Sequence, residues 1–455
     1  MRNVLVIGGG IAGLTVAYAL GRRGVDVLLV EAEDRLGGLI STSSRDGFLL
    51  DGGPDAFLAA KPHARLLCEE LGLGDELIPT NPDRRRVYVL HQGRLKALPE
   101  GFRLTVPTRY GPFLSTSLFS WKGKLRMLLE PFVPKRRADV EESIASFVVR
   151  RFGKEALERV GEPLLAGIHC GDPERLSMDF LFPGLVAIER EHGSLTLAMR
   201  REGARGEEAL FLSLAGGMGR LVERLAAEIP GEARLGRSVA EIRREGAGFE
   251  SLVASGERLR SRAILLALPI RESQRLLAPV APEAASSLSR IATVSTAVSF
   301  HAFPRDNVSH PLDAYGFIVP ETEPSRLLAA TFVTSKFPNR APEGQVLIRT
   351  FLGGRRDGSV LDSSDAALEA LSLSELARVL GPMGTPTFSR VVRWPDRTPQ
   401  IEVGHRSTLA VFEKALGEIP GLFVLGSGLG GVGIPDSIAA ARETALRIAE
   451  FLEES

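Results

Sequence analysis

The sequence predicts an α/β fold with a parallel sheet at the N-terminus, a mixed sheet in a second domain and a mainly helical insertion. Three observations predict it. An apolar strand (2–7), a helix (13–24) and a second strand (25–30) follow one another with short connections. Helical periodicity with several proline breaks dominates residues 61–200. Runs rich in β-forming residues then appear between 290 and 394.

We expect the chain to leave its first domain and return to it twice. Residues 1–60, 201–270 and 405–455 are predicted to form that domain, residues 61–200 the insertion and residues 271–404 the second domain. The strand-like segment 264–268 ends at Pro269, and proline stops a buried strand. Near the C-terminus, the apolar run 422–425 meets a glycine-rich turn and a helix from 435 to 451. A chain of 455 residues is long enough for two or three such units.

Composition limits the classes of partner. Lysine plus arginine (56) equals aspartate plus glutamate (56), so no overall field attracts nucleic acid. The two cysteines, Cys68 and Cys170, form neither a disulfide framework nor a CxxC motif, which favours a reducing cytoplasm. Seven histidines show no paired metal-ligand spacing, so we expect no metal. No apolar run reaches the roughly 18 residues that span a bilayer.

A glycine-rich turn lies between the first strand and the first helix. Gly8, Gly10 and Gly13 match the GxGxxG pattern in the strand-turn-helix context of a Rossmann unit. There the strand turns sharply, the backbone approaches a pyrophosphate and the helix packs closely on the strand, and a side chain would obstruct each step. Glu31 ends the second strand, where a carboxylate accepts from a ribose hydroxyl. The pattern predicts a dinucleotide and leaves NAD and FAD open.

Further motifs carry a family resemblance. After Glu31 come Arg35-Leu36-Gly37-Gly38 and Asp51-Gly52-Gly53-Pro54, and the segment 426–436 (GSGLGGVGIPD) repeats the strand, glycine loop and helix arrangement. With these motifs the chain resembles the superfamily of FAD-dependent amine oxidases, phytoene desaturases and protoporphyrinogen oxidases. The resemblance implies FAD, with the second helix N-terminus beside the flavin ring, where its dipole stabilises negative charge.

Three segments narrow the resemblance to porphyrinogen oxidases. Residues 165–177 (LAGIHCGDPERLS) are similar to the segment that borders the substrate pocket of those enzymes, and residues 315–320 (YGFIVP) to their glycine-containing strand over the flavin. Arg393-Trp394-Pro395 with Pro399-Gln400 is similar to a segment near the cofactor. The resemblance runs from the first strand to the last helix.

The resemblance also assigns site residues. It implies that these residues contact the cofactor: Gly8, Gly9, Gly10, Ile11, Ala12, Gly13, Glu31, Ala32, Arg35, Gly38, Leu39, Gly53, Pro54, Asp55, Ala56, Val239, Trp394, Ser427, Val432, Gly433 and Ile434. It implies that these contact the substrate: Lys61, Gly167, Ile168, Gly316 and Phe317. Leu39 and Leu429 replace a common aromatic residue, and Pro435-Asp436-Ser437 replaces a common Asn-Asp-Cys.

Several of these residues have a plainer interpretation. Lys61 precedes Pro62 and could be a solvated residue at a helix start. Gly167 and Gly316 could serve local turns. His169 lies beside the predicted pocket, but a lone histidine is more often structural, and we expect no single ionisable side chain to be essential for catalysis. The basic and aromatic segment 121–137 suits either a membrane surface or a solvated helix face.

The activity implied by the resemblance is oxygen-dependent oxidation of protoporphyrinogen IX to protoporphyrin IX in heme biosynthesis, six electrons passing through FAD with hydrogen peroxide as by-product. Oxidation of coproporphyrinogen III to coproporphyrin III is the alternative. Amine oxidation, with Lys336 as the candidate lysine near the flavin, carotenoid desaturation and a non-catalytic prenyl-binding escort are further alternatives. The implied partners are a tetrapyrrole, molecular oxygen, the cytoplasmic face of a membrane and a ferrochelatase that receives the product. A homodimer is left open.

Overall fold

The structure is a computed structural model that describes residues 2–136, 140–201 and 210–454. It confirms the predicted α/β fold class. The strands are β1 (Arg2–Ile7), β2 (Val27–Val30), β3 (Thr42–Arg45), β4 (Phe48–Asp51), β5 (Phe57–Leu58), β6 (Leu77–Pro79), β7 (Val87–His91), β8 (Arg94–Ala97), β9 (Phe102–Arg103), β10 (Val106–Pro107), β11 (Phe211–Leu214), β12 (Glu232–Arg234), β13 (Val239–Glu245), β14 (Gly248–Val253), β15 (Arg258–Ala267), β16 (Thr293–Pro304), β17 (Gly316–Ile318), β18 (Leu327–Phe332), β19 (Gln345–Gly353), β20 (Phe388–Pro399) and β21 (Leu422–Leu425).

The helices are interspersed among these strands. They are α1 (Ile11–Gly21), α2 (Pro62–Glu70), α3 (Tyr110–Ser115), α4 (Trp121–Leu128), α5 (Ile144–Phe152), α6 (Lys154–Ala156), α7 (Met178–Leu181), α8 (Pro183–His192), α9 (Leu195–Arg201), α10 (Gly219–Ala227), α11 (Ile270–Leu277), α12 (Pro282–Leu288), α13 (Val333–Lys336), α14 (Asp365–Leu380), α15 (His405–Gly417) and α16 (Ile434–Glu454). A π-helix (Leu157–Ala166) follows α6.

The first sheet is the predicted nucleotide-binding unit. Its order is β12-β2-β1-β15-β14-β13, with β21 also paired to β15, and β12, β2, β1, β15 and β21 run parallel. Successive residues of segment 4–7 in β1 and of β2 pack on opposite faces of the sheet, and these two segments are apolar throughout. Helices α1, α2, α10 and α16 cover one face, and α11, α12 and α15 cover the other.

The second sheet is mixed, as the sequence predicts. Its order is β20-β16-β19-β18-β17-β7-β8, and β17 and β7 are its parallel pair among the described strands. Strands β7 and β8 lie within the predicted helical insertion in sequence, yet they form an edge of this sheet. The three-domain division therefore stays a prediction.

A helical layer packs beside the second sheet. Helices α3 to α9 and the π-helix enclose a separate apolar core, to which Ile318 of β17 contributes. Buried charges fix the layer: Arg151 pairs with Glu130 and Glu189, and Arg150 pairs with Glu189. Each buried charge needs such a partner because desolvation opposes its burial.

None of the described helices is long and apolar enough to cross a bilayer.

Candidate functional site

The carboxyl ends of four parallel strands meet at one edge of the first sheet. Ile7 of β1 is in register with Val30 of β2 and Leu266 of β15, and Ala267 of β15 is in register with Leu425 of β21. Gly8 directly follows β1, Glu31 follows β2 and Gly426 follows β21, and each of them lies in a segment that the sequence predicts to belong to the site. Ligands of open parallel sheets bind at this edge, so the topology brings the two glycine-rich loops together.

The glycines of the first loop have different neighbours. A Cβ on Gly8 would lie 2.3 Å from the carbonyl oxygen of Ala267, and one on Gly13 would lie 2.0 Å from that of Gly8. A Cβ on Gly10 would meet nothing within 4 Å. Gly8 and Gly13 are thus required by the turn itself, whereas Gly10 borders open space at the N-terminus of α1. Predicted contacts Ile11 and Ala12 form the first turn of that helix.

Glu31, the predicted ribose contact, holds the backbone of the loop. Its Oε2 accepts from the backbone N–H of Gly9 at 2.7 Å, and its Oε1 accepts from that of Glu33 at 2.9 Å. Each carboxylate oxygen keeps a further lone pair for a hydroxyl. The Glu31 carbonyl accepts from Arg237 N–H at 2.7 Å, which brings the turn before Val239 to this edge, and Ala32 is exposed there.

The predicted Arg-x-Gly-Gly turn lies directly on the first loop. Gly37 N–H donates to the Gly9 carbonyl at 2.8 Å, and a Cβ on Gly38 would lie 3.3 Å from Gly10 Cα. Arg35 folds back and donates through Nη2 to the Gly38 carbonyl at 2.7 Å. Its guanidinium therefore holds the turn in shape. Leu39, next in sequence, is exposed.

Side chains of β19, β20 and α13 contact the segment from Gly52 to Asp55. Trp394 Nε1 donates to the Gly52 carbonyl at 2.9 Å, and Arg349 Nη2 donates to the Gly53 carbonyl at 2.6 Å. Lys336 Nζ contacts both oxygens of Asp55, at 2.9 and 2.8 Å. Burial opposes ionisation of Asp55, but Lys336 and Arg349 lower its pKa below the usual value. Pro54 and Ala56 are half-buried beside these contacts.

These contacts reveal residues that the sequence did not assign. Arg349 is one charged residue within the β-rich run of β19, and no spacing links it to Gly53. Lys336, considered in the sequence only as an amine-oxidase lysine, is instead the ion-pair partner of Asp55. Their signal in the sequence is weak: each is a charge in an otherwise apolar segment.

The C-terminal loop faces the first one. Ala12 of α1 lines a cleft together with Gly426, Gly430, Gly431 and Ser437. Ser427, Val432 and Gly433 are half-buried in this loop, and Ile434 begins α16.

Buried His405 supports that loop from behind. Its Nε2 lies 2.7 Å from the carbonyl oxygen of Gly428, so this nitrogen carries the proton. Burial lowers the pKa of His405, which keeps the ring neutral and the donor in place.

A dinucleotide flavin fits this arrangement. The open direction at Gly10 is where a pyrophosphate has room, and the first-turn N–H groups of α1 have no partners within their own helix. Glu31 keeps lone pairs that would accept from a ribose hydroxyl, and Ala12 of the first loop's helix lies beside the C-terminal loop and Ser437 of α16. Bound FAD supplies two-electron oxidation of a substrate; the chain supplies the cradle.

The predicted substrate residues occupy two places. Gly167 and exposed Ile168 follow the π-helix, and a Cβ on Gly167 would meet only the Glu162 carbonyl, at 3.8 Å. Gly316 starts β17 with φ +151°, and its Cβ would lie 2.0 Å from the Ala330 carbonyl. Phe317 points to the opposite face of the strand and packs in the core of the second sheet.

Lys61, one of the predicted substrate contacts, already has an ion pair. Its Nζ contacts Asp436 Oδ1 and Oδ2 at 2.6 and 2.7 Å, joining the start of α2 to the first turn of α16. A substrate carboxylate at Lys61 would have to compete with Asp436. Among the described residues no group of three or more histidine, cysteine, aspartate or glutamate side chains could hold a metal ion.

Comparison with known proteins decides the family, because the model of flavin-containing amine oxidoreductases matches residues 11–449. The chain belongs to the flavin-containing amine oxidoreductase family. It is an FAD-dependent oxidoreductase. A coproporphyrinogen III oxidase from Propionibacterium freudenreichii subsp. freudenreichii is 34% identical, over 97% of this chain and 90% of that protein.

Two further proteins are similar to this chain over nearly their full length. The mitochondrial protoporphyrinogen oxidase of Nicotiana tabacum is 28% identical, over 99% of this chain and 95% of that protein. A solved structure from Exiguobacterium sp. 255-15, provisionally named a protoporphyrinogen oxidase, is 30% identical with a TM-score of 0.90 and covers 100% of this chain and 99% of its own. The resemblance to porphyrinogen oxidases is therefore confirmed.

Proposed function

We propose that the chain oxidises a porphyrinogen to the corresponding porphyrin, with coproporphyrinogen III as its substrate. The observation that carries the proposal is similarity over nearly the whole chain to named porphyrinogen oxidases, at 34% identity for a bacterial coproporphyrinogen III oxidase and 28% for a plant protoporphyrinogen oxidase. Protoporphyrinogen IX, the main expectation from the sequence, is the second candidate, since the similarity to a protoporphyrinogen oxidase is also nearly full-length. Oxygen as acceptor, with hydrogen peroxide as by-product, completes the proposed reaction.

The predicted site residues support the proposal as a set. The glycine-rich segments predicted to contact the cofactor lie at the carboxyl edge of the first sheet. Gly167 and Gly316 belong to the segments 165–177 and 315–320, which we propose as the two walls of the substrate pocket. Each residue's contact with FAD or substrate stays a prediction. In this proposal the chain positions the substrate over the flavin, because close approach in an aligned pose supplies much of the rate enhancement.

Turnover with each substrate tests the proposal. Purified flavin-loaded protein is mixed with coproporphyrinogen III or protoporphyrinogen IX in air, and porphyrin fluorescence and peroxide are followed. We expect porphyrin from both, with the higher kcat/KM for coproporphyrinogen III. Higher kcat/KM for protoporphyrinogen IX would select the second candidate. Oxidation of primary amines or carotenoids with no porphyrin formed would reject both.

We further propose a cytoplasmic enzyme that touches a membrane surface through its helical layer. In α4 and the turn after it, Trp121 and Phe132 are 73% and 81% exposed, with exposed Leu125 and Leu129 between them. Four of the basic neighbours have internal partners, whereas Lys122 is exposed next to Trp121. Lys124 donates to the Leu114 carbonyl at 2.6 Å. Arg126 donates to carbonyls at the end of α5, Lys135 donates to carbonyls of α8, and Arg136 pairs with Asp179.

The exposed face is therefore more apolar than basic. Arg137, the last basic residue of the predicted patch, lies outside the described residues. An apolar face suits the poorly soluble tetrapyrroles, which would reach the protein without crossing much water. Transfer of the product to a ferrochelatase and formation of a homodimer remain parts of the proposal that need their own measurements.

A further inference from the structure

A short helical turn after β19 lies against one of the predicted substrate walls. The turn spans Gly354–Arg356, and a Cβ on Gly354 would lie 2.7 Å from the Cβ of Cys170. Arg355 N–H donates to the Cys170 carbonyl at 2.9 Å. Cys170 belongs to the segment that begins with Gly167 and Ile168, so this contact places Arg356 beside that wall.

Arg356 meets a carboxylate that joins the two walls. Its Nη2 donates to Oε1 of Glu162, which lies in the π-helix, and the other oxygen of Glu162 accepts from Glu321 N–H at 3.0 Å. Glu321 follows β17, the strand that begins at Gly316. The ion pair thus connects the π-helix, the segment after β17 and the turn after β19. The side chains of Glu162 and Arg356 are only 9% and 15% exposed.

One guanidinium nitrogen of Arg356 has no hydrogen-bond partner among the residues that the structure describes. Nη1 is buried and forms no hydrogen bond with any described residue. A buried cationic N–H without an acceptor is costly, and a carboxylate is the acceptor that a guanidinium favours. Other cations near the walls are less available, because Lys61 is held by Asp436, while Arg355 is half-exposed and lies 3.6 Å from Asp172.

We propose that Arg356 binds a carboxylate of the tetrapyrrole through Nη1, and that Glu162 controls how strongly it does so. The proposal rests on the proposed function, because it assumes a substrate that carries propionate groups. Glu162 orients the guanidinium and neutralises part of its charge. Burial raises the pKa of Glu162 although Arg356 opposes the effect, so a second carboxylate arriving at Arg356 would favour protonation of Glu162.

Two substitutions should then change carboxylate binding in opposite directions. Arg356→Gln removes the cation and should weaken binding. Glu162→Gln keeps an acceptor for Glu321 N–H, removes the competing negative charge and leaves the guanidinium free for the ligand, so it should strengthen binding. A purely structural ion pair gives a different result, because loss of either partner would damage the same contact.

The experiment measures KM for coproporphyrinogen III and the Kd of coproporphyrin III, with its tetramethyl ester as the probe that lacks carboxylates. We expect Arg356→Gln to raise both constants for the free acid about tenfold or more, the range for losing a hydrogen bond to a charged group. Glu162→Gln should lower them, and Arg356→Lys should give intermediate values. The Kd of the ester should be the same in all variants.

Arg355→Gln is the matched control, because it removes the same charge from the neighbouring residue and should leave KM within about twofold. The Glu162→Gln/Arg356→Gln double variant avoids an unpaired buried charge, so it tests binding even if Arg356→Gln alone folds poorly. It should bind the free acid as weakly as an enzyme without Arg356.

Two results would overturn the proposal. One is wild-type affinity for the free acid in the double variant; the other is weaker binding in Glu162→Gln, which would make the pair a structural contact only. Failure of the proposed function looks different: wild-type protein would then oxidise neither porphyrinogen and bind no coproporphyrin. If the wild-type enzyme is active and the double variant binds the free acid with wild-type affinity, the role of Arg356 is refuted while the proposed function stands.

Discussion

At the scale of single residues, the glycines of the first loop differ in whether the fold leaves room for a side chain. Gly13 has no room for a Cβ because the Gly8 carbonyl would lie 2.0 Å away, and both atoms belong to the turn. Gly10 has room in this structure and an extended conformation (φ −71°, ψ 175°) that alanine adopts readily. The same motif therefore contains glycines that the fold needs and one, Gly10, that the fold of the described residues does not need.

We predict that Gly10→Ala and Gly13→Ala give opposite profiles. Gly10→Ala apoprotein should melt at the wild-type temperature but bind FAD at least about tenfold more weakly, since the methyl group occupies the space beside the pyrophosphate. Gly13→Ala should lower apoprotein stability by about 1–3 kcal/mol because the turn is overpacked. Thermal melts of the apoproteins and titration with FAD check both. A destabilised Gly10→Ala apoprotein would contradict the assignment.

His169 gives a prediction about catalysis. Burial lowers its pKa to about 4, its ring lies edge-on to Phe182, and its carbonyl accepts from Gln400 at 3.1 Å. A group with that pKa is already deprotonated above about pH 5. Its titration therefore cannot change kcat between about pH 6 and 8. We expect His169→Ala to keep its flavin, lose less than about tenfold in kcat and retain the wild-type pH profile over that range.

The measurement is steady-state turnover of porphyrinogen by flavin-loaded protein across that pH range. A loss of more than about a hundredfold in flavin-loaded His169→Ala would show that a dedicated base is needed.

At the scale of elements, the sequence predicts regular segments better than irregular ones. Strand β1 matches its predicted span, and the final helix begins within a residue of the prediction, because apolar periodicity and turn residues act locally. The π-helix (Leu157–Ala166) has no local signature beyond an internal proline, Pro163. Strands β7 and β8 owe their place to pairing with β17, a contact far away in sequence.

The two wall glycines belong to elements with different tolerance. Gly167 caps the π-helix at φ −60°, and its Cβ would have only an ordinary contact, at 3.8 Å. Gly316 has φ +151° and a Cβ position blocked by the Ala330 carbonyl of β18. A larger residue at Gly316 therefore disturbs strand pairing whatever its effect on the substrate, and only Gly167 tests the pocket cleanly.

We predict that Gly167→Leu folds with wild-type flavin content and melting temperature but loses most of its turnover, because the new side chain fills the substrate space. Gly316→Leu should lose flavin and stability together, since a non-glycine residue in this conformation is strained. Flavin absorbance, thermal melts and porphyrin formation distinguish the two. Normal turnover in flavin-loaded Gly167→Leu would mean that the substrate lies elsewhere.

At the scale of the whole molecule, residues far apart in sequence hold the segment that is predicted to contact the cofactor. Trp394 of β20, Arg349 of β19 and Lys336 of α13 contact Gly52, Gly53 and Asp55 respectively. The glycine loops at the strand ends could be predicted from sequence because each motif is local. The bridging side chains could not, because their partners lie about 280 to 340 residues away and depend on how the sheets pack.

The exposed apolar face of the helical layer gives a prediction for the whole molecule, binding to lipid vesicles. Lys124, Arg126, Lys135 and Arg136 have internal partners, and Lys122 of α4 is exposed beside four exposed apolar residues. We therefore expect apolar contact to contribute more than charge, and binding should persist when salt screens electrostatic attraction. Burying an aromatic side chain contributes roughly 1.5–3 kcal/mol, so removing two should weaken binding well over about tenfold.

The test uses the Trp121→Ser/Phe132→Ser variant, with Val411→Ser on α15 as the control, because Val411 is an exposed apolar residue outside the helical layer. We expect wild type and control to sediment with vesicles of mixed neutral and anionic lipid at low and at high salt, and the double variant to remain in the supernatant. Porphyrin formation should be unchanged for substrate presented in detergent, since neither residue belongs to the proposed site. Equal sedimentation of the double variant and wild type would show that this face does not bind the vesicles. Loss of wild-type binding at high salt would show that the attraction is electrostatic.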